Sequence, residues 1–537
     1  MKYRFLFTNK TNNSLNLHPF PKNRMVVIGN RYLNLGNFKN VLFDGDKIAL
    51  DKQALKNVED NHKFLDEFSH NKLIYGINTS FGPMAQYRIS EKDKLALQYN
   101  LIRSHCSGLG NPLPDEYAKA VMLARLNTLM LGFSGIHKSL VETIVAFINN
   151  DIYPYIPEHG SVGASGDLVQ LAQFALNLIG EGEVFYKGKK VKTSVALKAA
   201  KIKPLQIHIR EGIALMNGTS AMTGIGLINI LKSQNLLSWS IIASSMINEI
   251  VEAFDDHFSE GLNNAKIHDG QKKIAETMRQ ALKGSKLIRH RPDHLYSKKV
   301  EVEVLKDKVQ EYYSLRCVPQ ILGPVYDTIS NAEKVLLNEV NSANDNPIID
   351  HKNENVYHGG NFHGDYVSFE MDKLKIAVAK MSMMCERQLN YLLNDKLNGK
   401  LPPFVNLGKL GLNFGMQGIQ FTATSTTAEN QTLAYPMYLH SIPNNNDNQD
   451  IVSMGTNSAL ITKKVVDNTA EILAIEFMTI LQAVDYLGFE SKLSPATQKV
   501  FKSLRKIAPK FTDDKPRNEE LTKLKKLILD ENPIKNS

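Results

Sequence analysis

Three long apolar stretches without a helix breaker constrain this chain more than any other feature. Ser220 to Ser259 has AMTGIGLINILKSQNLLSWSIIASSMINEIVEAF at its heart and contains no proline. Phe369 to Leu397, beginning FEMDKLKIAVAKMSMMCERQLNYLL, and Thr456 to Leu487 are two more. In each, apolar residues recur at helical spacing. A helix that is apolar over most of its circumference has to be covered by other helices. The expected fold is therefore all-α: a long central helical bundle, preceded by an N-terminal, mostly helical domain. Strand signals are few. FYKGKKVKT, Phe185 to Thr193, predicts a small hairpin turning near Lys187-Gly188.

Composition excludes several classes. With 43% apolar and 22% charged residues, the chain is not a disordered one. Three cysteines, Cys106, Cys317 and Cys385, are too few for a disulfide framework and are not spaced as a metal knuckle. They fit a reducing, cytoplasmic setting. No run reaches the roughly 18 apolar residues that span a bilayer. Residues 1–24 lack the apolar core and cleavage site of a signal peptide. Met25 opens a more usual start, so 1–24 read as an extension, disordered or untranslated. The net charge is +9. Between Lys499 and Ser537 lie eleven Lys/Arg against six Asp/Glu, which predicts a terminal amphipathic helix with a solvated basic face. Nucleic-acid binding would want aromatics or a recognised fold beside it; the field favours instead an anionic substrate carboxylate. The expected division is 1–24, an N-terminal domain over 25–220, the bundle over 221–495, and a basic tail over 496–537.

Between the long helices lie polar segments of unusual composition: YGINTSFGPMAQY (75–87), GSVGASGD (160–167), NGTS (217–220), YYSLRCVPQ (312–320), NSANDNP (341–347), HGGNFHGD (358–365) and IPNNNDNQD (442–450). Such loops on a rigid scaffold are where chemistry usually sits. Ser165 is not in a nucleophile elbow, because the second glycine of GxSxG comes one place early. Taken alone, GASGD is a glycine-rich turn with Asp167 capping a helix that starts at Leu168. Ala164-Ser165-Gly166 permits a second chemistry. The Gly166 nitrogen can attack the Ala164 carbonyl if the backbone is pinched, which small residues tolerate. Loss of water, including the Ser165 hydroxyl, leaves a 4-methylideneimidazol-5-one, a built-in electrophile.

With these seven motifs in this order, the chain resembles the aromatic amino-acid ammonia-lyases, the histidine, phenylalanine and tyrosine lyases and their aminomutase relatives. The resemblance runs from about Asn30 to about residue 490 and is closest in wording to bacterial tyrosine ammonia-lyases. It implies a prosthetic group made from Ala164, Ser165 and Gly166, with no metal and no nucleotide. It implies Tyr75 as the base for the β-proton, which requires a phenol pKa lowered from about 10. It also implies Tyr313 near the prosthetic group and Asn217 holding the ring carbonyl or the substrate. Arg316 would clamp the substrate carboxylate with its bidentate fork. Gln310, Phe362, Glu429 and Gln449 fall on further active-site positions of the family, with Phe362 expected beside the electrophile.

Selectivity in the family is read at a residue pair that here is Ser104-His105. Ser-His resembles the histidine-lyase pattern, yet His105 can serve an imidazole or a phenol, because neutral histidine both donates and accepts. The whole-chain wording favours tyrosine, with histidine next. Three positions depart from the family pattern. Ser80 replaces a glycine and would strain the Tyr75 loop if φ there is positive. Gln170 and Gln173 replace the proline and histidine of the SxDLAPLAH wording of histidine lyases. No dinucleotide or P-loop glycine pattern follows a strand, and His358 and His363 share no helical face on which to hold a metal. The reaction implied is non-oxidative deamination of an aromatic L-amino acid to ammonia and the trans-α,β-unsaturated acid. The partners implied are that small molecule and three further copies in a homotetramer, without nucleic acid or membrane. An aminomutase with the same group, and a retired helical scaffold, are the alternatives.

Overall fold

The computed structural model describes residues 25–70, 72–296, 302–305 and 308–534. The predicted 1–24 extension lies outside them. At the centre, three long helices pack on one another: Ser220–Ile250, Asp365–Leu393 and Gly455–Leu487. Val318–Val340 and Gln417–Leu433 complete the bundle. The fold is the all-α class that the apolar runs predict.

The boundaries differ where the sequence carries no visible stop. The first run ends at Ile250, not near Ser259. Glu252 takes φ +54, and the N–H groups of Glu252 and Ala253 return to the carbonyls of Glu249 and Asn248. This is a Schellman ending with glutamate where glycine is usual. The second run starts one turn early, at Asp365, and stops at Leu393, where Asn394 caps a short helix, Asp395–Asn398.

The N-terminal part contributes small sheets and the helices that carry the functional loops. Met25–Ile28 pairs in parallel with Lys47–Leu50. The predicted hairpin is Glu183–Tyr186 with Lys189–Lys192, turning through left-handed Lys187 and Gly188; Ile152–Pro154 adds a third strand. The basic C-terminal segment includes the helix Asn518–Asp530, which docks on the bundle through Leu524 and Ile528. Lys523 and Lys526 pair within it with Glu519 and Asp530. Among the described residues no helix is long and apolar enough to cross a membrane.

The helix Asp115–Leu129 lies against Ser220–Ile250 at Gly224. A Cβ on Gly224 would stand 2.8 Å from the backbone of Ala120 and Val121. The close crossing therefore depends on glycine, despite glycine's poor helix propensity. Gly224→Val is expected to lower stability by about 1–3 kcal/mol through overpacking, read as a lower midpoint in urea and in calorimetry. An unchanged midpoint would refute this account of the crossing.

Candidate active site

All three long helices begin at one loop. Gly163 O accepts from Gly364 N–H (3.1 Å), one residue before Asp365–Leu393, and from Ser453 Oγ (3.0 Å), just before Gly455–Leu487. Asp167 ties the loop to the start of Ser220–Ile250 and again to that of Gly455–Leu487. Its fully buried carboxylate accepts from Met222 N–H (2.8 Å), Thr456 Oγ1 (2.5 Å) and Ser161 Oγ (3.0 Å). Asp167 therefore does not cap the helix Leu168–Leu178 with its side chain, as the sequence predicts; it caps Ser220–Ile250 instead. Burial pushes its carboxyl above the usual aspartate range, and these three hydrogen bonds, with the Ala221 N–H as a fourth donor, oppose the shift. Positive helix ends converge here, a setting suited to developing negative charge.

Ser165 is held at both of its oxygens. Asn217 Nδ2 donates to Ser165 O (2.9 Å) and Gln449 Nε2 donates to Ser165 Oγ (2.8 Å). Gln449 is delivered by a turn whose Asn445, Asn446 and Asp447 are all left-handed, a conformation these residue types tolerate. Ala164 is buried. Gly166 has φ +73, and a Cβ there would lie 2.2 Å from Gly218 O. These features fit an Ala-Ser-Gly cyclisation: residues without bulk where the backbone is pinched, a donor on what would be the ring carbonyl, and a donor on the hydroxyl that must leave.

The Tyr75 loop reaches the same place. Tyr75 Oη accepts from Gly82 N–H (3.1 Å), its ring meets Phe81 edge-on, and its N–H donates to His358 Nε2 (3.4 Å). Asn445 lies against Gly82. Burial pushes the Tyr75 phenol above its ordinary value, with the Gly82 N–H a smaller opposing effect. The lowered pKa required of a base is thus not met by this chain's own groups. Ser80 does not strain the loop, because the left-handed residues there are Gly76 and Gly82. Phe362 is half-buried, two residues before Gly364 and its bond to Gly163. His358 and His363 are engaged with Tyr75 N–H and with Ile451 O and Asp365.

Ser104 and His105 end the helix Lys94–Ser104. His105 Nδ1 lies 2.9 Å from Leu101 O. Ser104 Oγ lies 3.0 Å from the same nitrogen, and the neutral ring carries one donor and one acceptor nitrogen. Gln98 in the same helix, fully buried, donates to Gly76 O (3.2 Å) and accepts from Ile213 N–H (3.3 Å). It joins the Tyr75 loop to the helix Glu211–Met216 that leads into Asn217. Gln98 is not among the residues the sequence singles out; its one signal is an amide among mostly apolar neighbours in LALQYNLI. Gln170, at the proline position, donates to the carbonyls of Pro157 and Glu158.

The remaining site residues lie apart from this cluster within the chain. Gln310, Tyr313 and Arg316 line a cavity of about 640 Å³ together with Lys308, Arg387 and Tyr391. Arg316 Nη1 donates to Gln310, and its guanidinium stacks on Tyr313. Glu429 is on an exposed stretch of Gln417–Leu433, accepting from Asn468 Nδ2 (2.6 Å) near Lys464.

Residues 33–506 match the family model described as aromatic amino acid lyase. A histidine ammonia-lyase of Geobacillus sp. is 38% identical over 492 residues, 91% of this chain and 94% of the relative. A tyrosine 2,3-aminomutase of Chondromyces crocatus is 39% identical, covering 90% and 92%. The crystal structure of a tyrosine aminomutase from Streptomyces globisporus superposes with a TM-score of 0.90 at 33% identity, over 94% of this chain and 97% of that one.

Behind Asn217, the same short helix begins at a titratable cluster. Glu211, fully buried, accepts from the N–H groups of His137 (2.9 Å) and His208 (2.6 Å). The rings of His62, His137 and His208 pack on one another. Burial pushes the Glu211 carboxyl from 4.5 up to about 7. The folded chain therefore keeps a proton that the unfolded chain releases. That contribution to stability is complete below about pH 4.5 and is lost as pH rises to about 7. His137 and His208, whose ring pKa values burial lowers, act in the opposite direction in both proteins to be compared. The melting temperature of the wild type relative to Glu211→Gln is expected to fall between pH 5 and pH 7.5; a constant difference would refute the shift.

Proposed function

The chain belongs to the aromatic amino acid lyase family and is a carbon–nitrogen lyase, and on that premise we propose that it removes ammonia from an aromatic L-amino acid, tyrosine before histidine, using a prosthetic group formed from Ala164, Ser165 and Gly166. The observation that carries this reading is Ser165, held at its carbonyl by Asn217 and at its hydroxyl by Gln449 in a loop that only small residues can form. Once formed from these residues, the group would supply an electrophile at Ser165, the chemistry needed to make ammonia a better leaving group. Tyr75 takes the β-proton on its phenolate oxygen. Arg316 holds the α-carboxylate as a two-pronged ion pair, and Asn217 supplies a hydrogen-bond donor at the ring carbonyl.

A homotetramer accounts for the separation of Gln310, Tyr313, Arg316 and Glu429 from Ser165. Tyr366, Phe369, Phe414, Phe421, Tyr435 and Leu439 are exposed on this chain and offer apolar surface for further copies to cover. A neighbouring copy that covers it would bring a cation to the Tyr75 phenol, whose ionisation this subunit's burial opposes. His105, whose neutral ring both donates and accepts, suits a substrate with a hydrogen-bonding ring, a phenol or an imidazole, over phenylalanine. The unpaired Cys106, Cys317 and Cys385 fit a cytoplasmic setting. Relatives named tyrosine aminomutase favour one second reading, in which ammonia returns to the β-carbon.

Ultraviolet product formation from L-tyrosine, L-histidine and L-phenylalanine in parallel tests the reading. Coumarate from tyrosine is expected, with none from Ser165→Ala. Tyr75→Phe is expected to lower kcat by about 10²–10⁴-fold with a smaller change in KM. Urocanate as the main product would reassign the substrate, β-tyrosine would make the protein an aminomutase, and no product from any of the three would refute the lyase reaction.

A further inference from the structure

Arg125 interrupts the apolar run VMLARLNTL and is only 1% exposed. A buried guanidinium is costly unless its hydrogens are used. Two of its nitrogens are committed to the NGTS segment and its surroundings. Nη2 donates to the carbonyls of Ala214 and Asn217, the latter at 3.0 Å. These lie at the C-terminal end of Glu211–Met216, where helical carbonyls lack internal partners, so a cation takes the place of the usual glycine cap. Nη1 donates to Asn344 Oδ1 (3.1 Å). Asn344 Nδ2 donates to Thr219 Oγ1 (2.8 Å), and Asn346 N–H donates to Asn217 Oδ1 (2.7 Å). Arg125 and the NSANDNP segment thus grip residues 217–219 from one side.

The Ser165 loop lies on the other side. Asn217 Nδ2 reaches Ser165 O, and Gly218 O accepts from Asp167 N–H (2.8 Å). A Cβ on Gly218 would stand 2.4 Å from Arg125 Nη1, and one on Gly166 would stand 2.2 Å from Gly218 O. Guanidinium, Gly218 and Gly166 therefore follow one another with no space for a side chain between them. Burial brings Arg125 down to about 10, which leaves it charged at neutral pH.

We propose that Arg125 is a positioning residue for the cyclisation of Ala164-Ser165-Gly166: by capping the Ala214 and Asn217 carbonyls it fixes Asn217 and Gly218 against the loop, and so sets the approach of the Gly166 nitrogen to the Ala164 carbonyl carbon. This rests on reading that tripeptide as the precursor of the prosthetic group. In the step served, a bond forms between Gly166 N and Ala164 C. The Ala164 oxygen leaves as water with the amide protons of Gly166 and Ser165. The Ser165 hydroxyl leaves as a second water with its Cα proton. Arg125 neither gives nor takes a proton.

The test compares Arg125→Met and Arg125→Lys with Lys375→Met. The last removes another fully buried cation, one bound to Asp372 and the Tyr435 carbonyl within the bundle. Intact mass reports the two lost waters, near-ultraviolet absorbance reports the conjugated ring, and calorimetry reports the fold. Arg125→Met is expected to keep the uncyclised mass in most chains and to lose about a hundredfold in kcat with little change in KM. Arg125→Lys should recover part of both, and Lys375→Met should cyclise fully despite a lowered melting temperature. Full water loss and control-level kcat in Arg125→Met would overturn the proposal while leaving the lyase reading intact. Should Arg125→Met fail to fold, Asn344→Ala loosens the guanidinium and keeps its charge. A folded Asn344→Ala that cyclises as completely as wild type would overturn the proposal as well. A wild-type chain of uncyclised mass would overturn both this inference and the prosthetic-group reading beneath it.

Discussion

The buried carboxylate of Asp167 is the joint on which the rest of the structure hangs. A charge with no access to water survives only where several donors face it, and here they come from the starts of two bundle helices and from the loop itself. The joint works in both directions. It satisfies N-terminal amide groups that the bundle would otherwise leave orphaned, and it fixes the direction in which Ser165 leaves the core. Rigidity at a site made wholly of loops thus comes from helix ends rather than from the loops' own packing.

Much of this was legible in the sequence, for a physical reason. Long apolar helices announce themselves by periodicity, and loops with special backbone demands announce themselves by glycine and asparagine. IPNNNDNQD is one example: a run of residues that accept left-handed φ became three successive left-handed residues that deliver Gln449. Residues whose role depends on a distant partner were not legible. Glu252 ends a helix in a place that normally asks for glycine. Asp167 sits where a cap of the following helix is expected and serves another helix 55 residues away. Gln98 and Arg125 carry no local signature except polarity in an apolar run, and sequence alone does not say which buried backbone groups they satisfy.

The expectation about Tyr75 met a different limit. Ionising a phenol requires a field, and the field within this chain points the wrong way, because burial outweighs the single backbone donor at Gly82. The residues with the chemistry to reverse it, Arg316 above all, face a separate cavity of the same chain. The fold thus divides the tasks of the family's site between a cluster around Ser165, which shapes the backbone, and outlying positions, which carry charge and aromatic surface. In the proposed homotetramer such a division would tie ionisation to assembly, with desolvation and compensating charge coming from different surfaces.

The hydrogen bond from Gln449 to Ser165 joins residues 284 apart in sequence. A ribosome releases Ser165 long before Gln449 exists, and Asp167 waits equally long for Thr456. Until residues 449 and 456 have been made, the tripeptide and Asp167 therefore lack two of the donors that hold them in the finished fold. The order of translation keeps that chemistry silent in nascent and truncated chains, so the electrophile proposed here would arise only in molecules that have already completed their core.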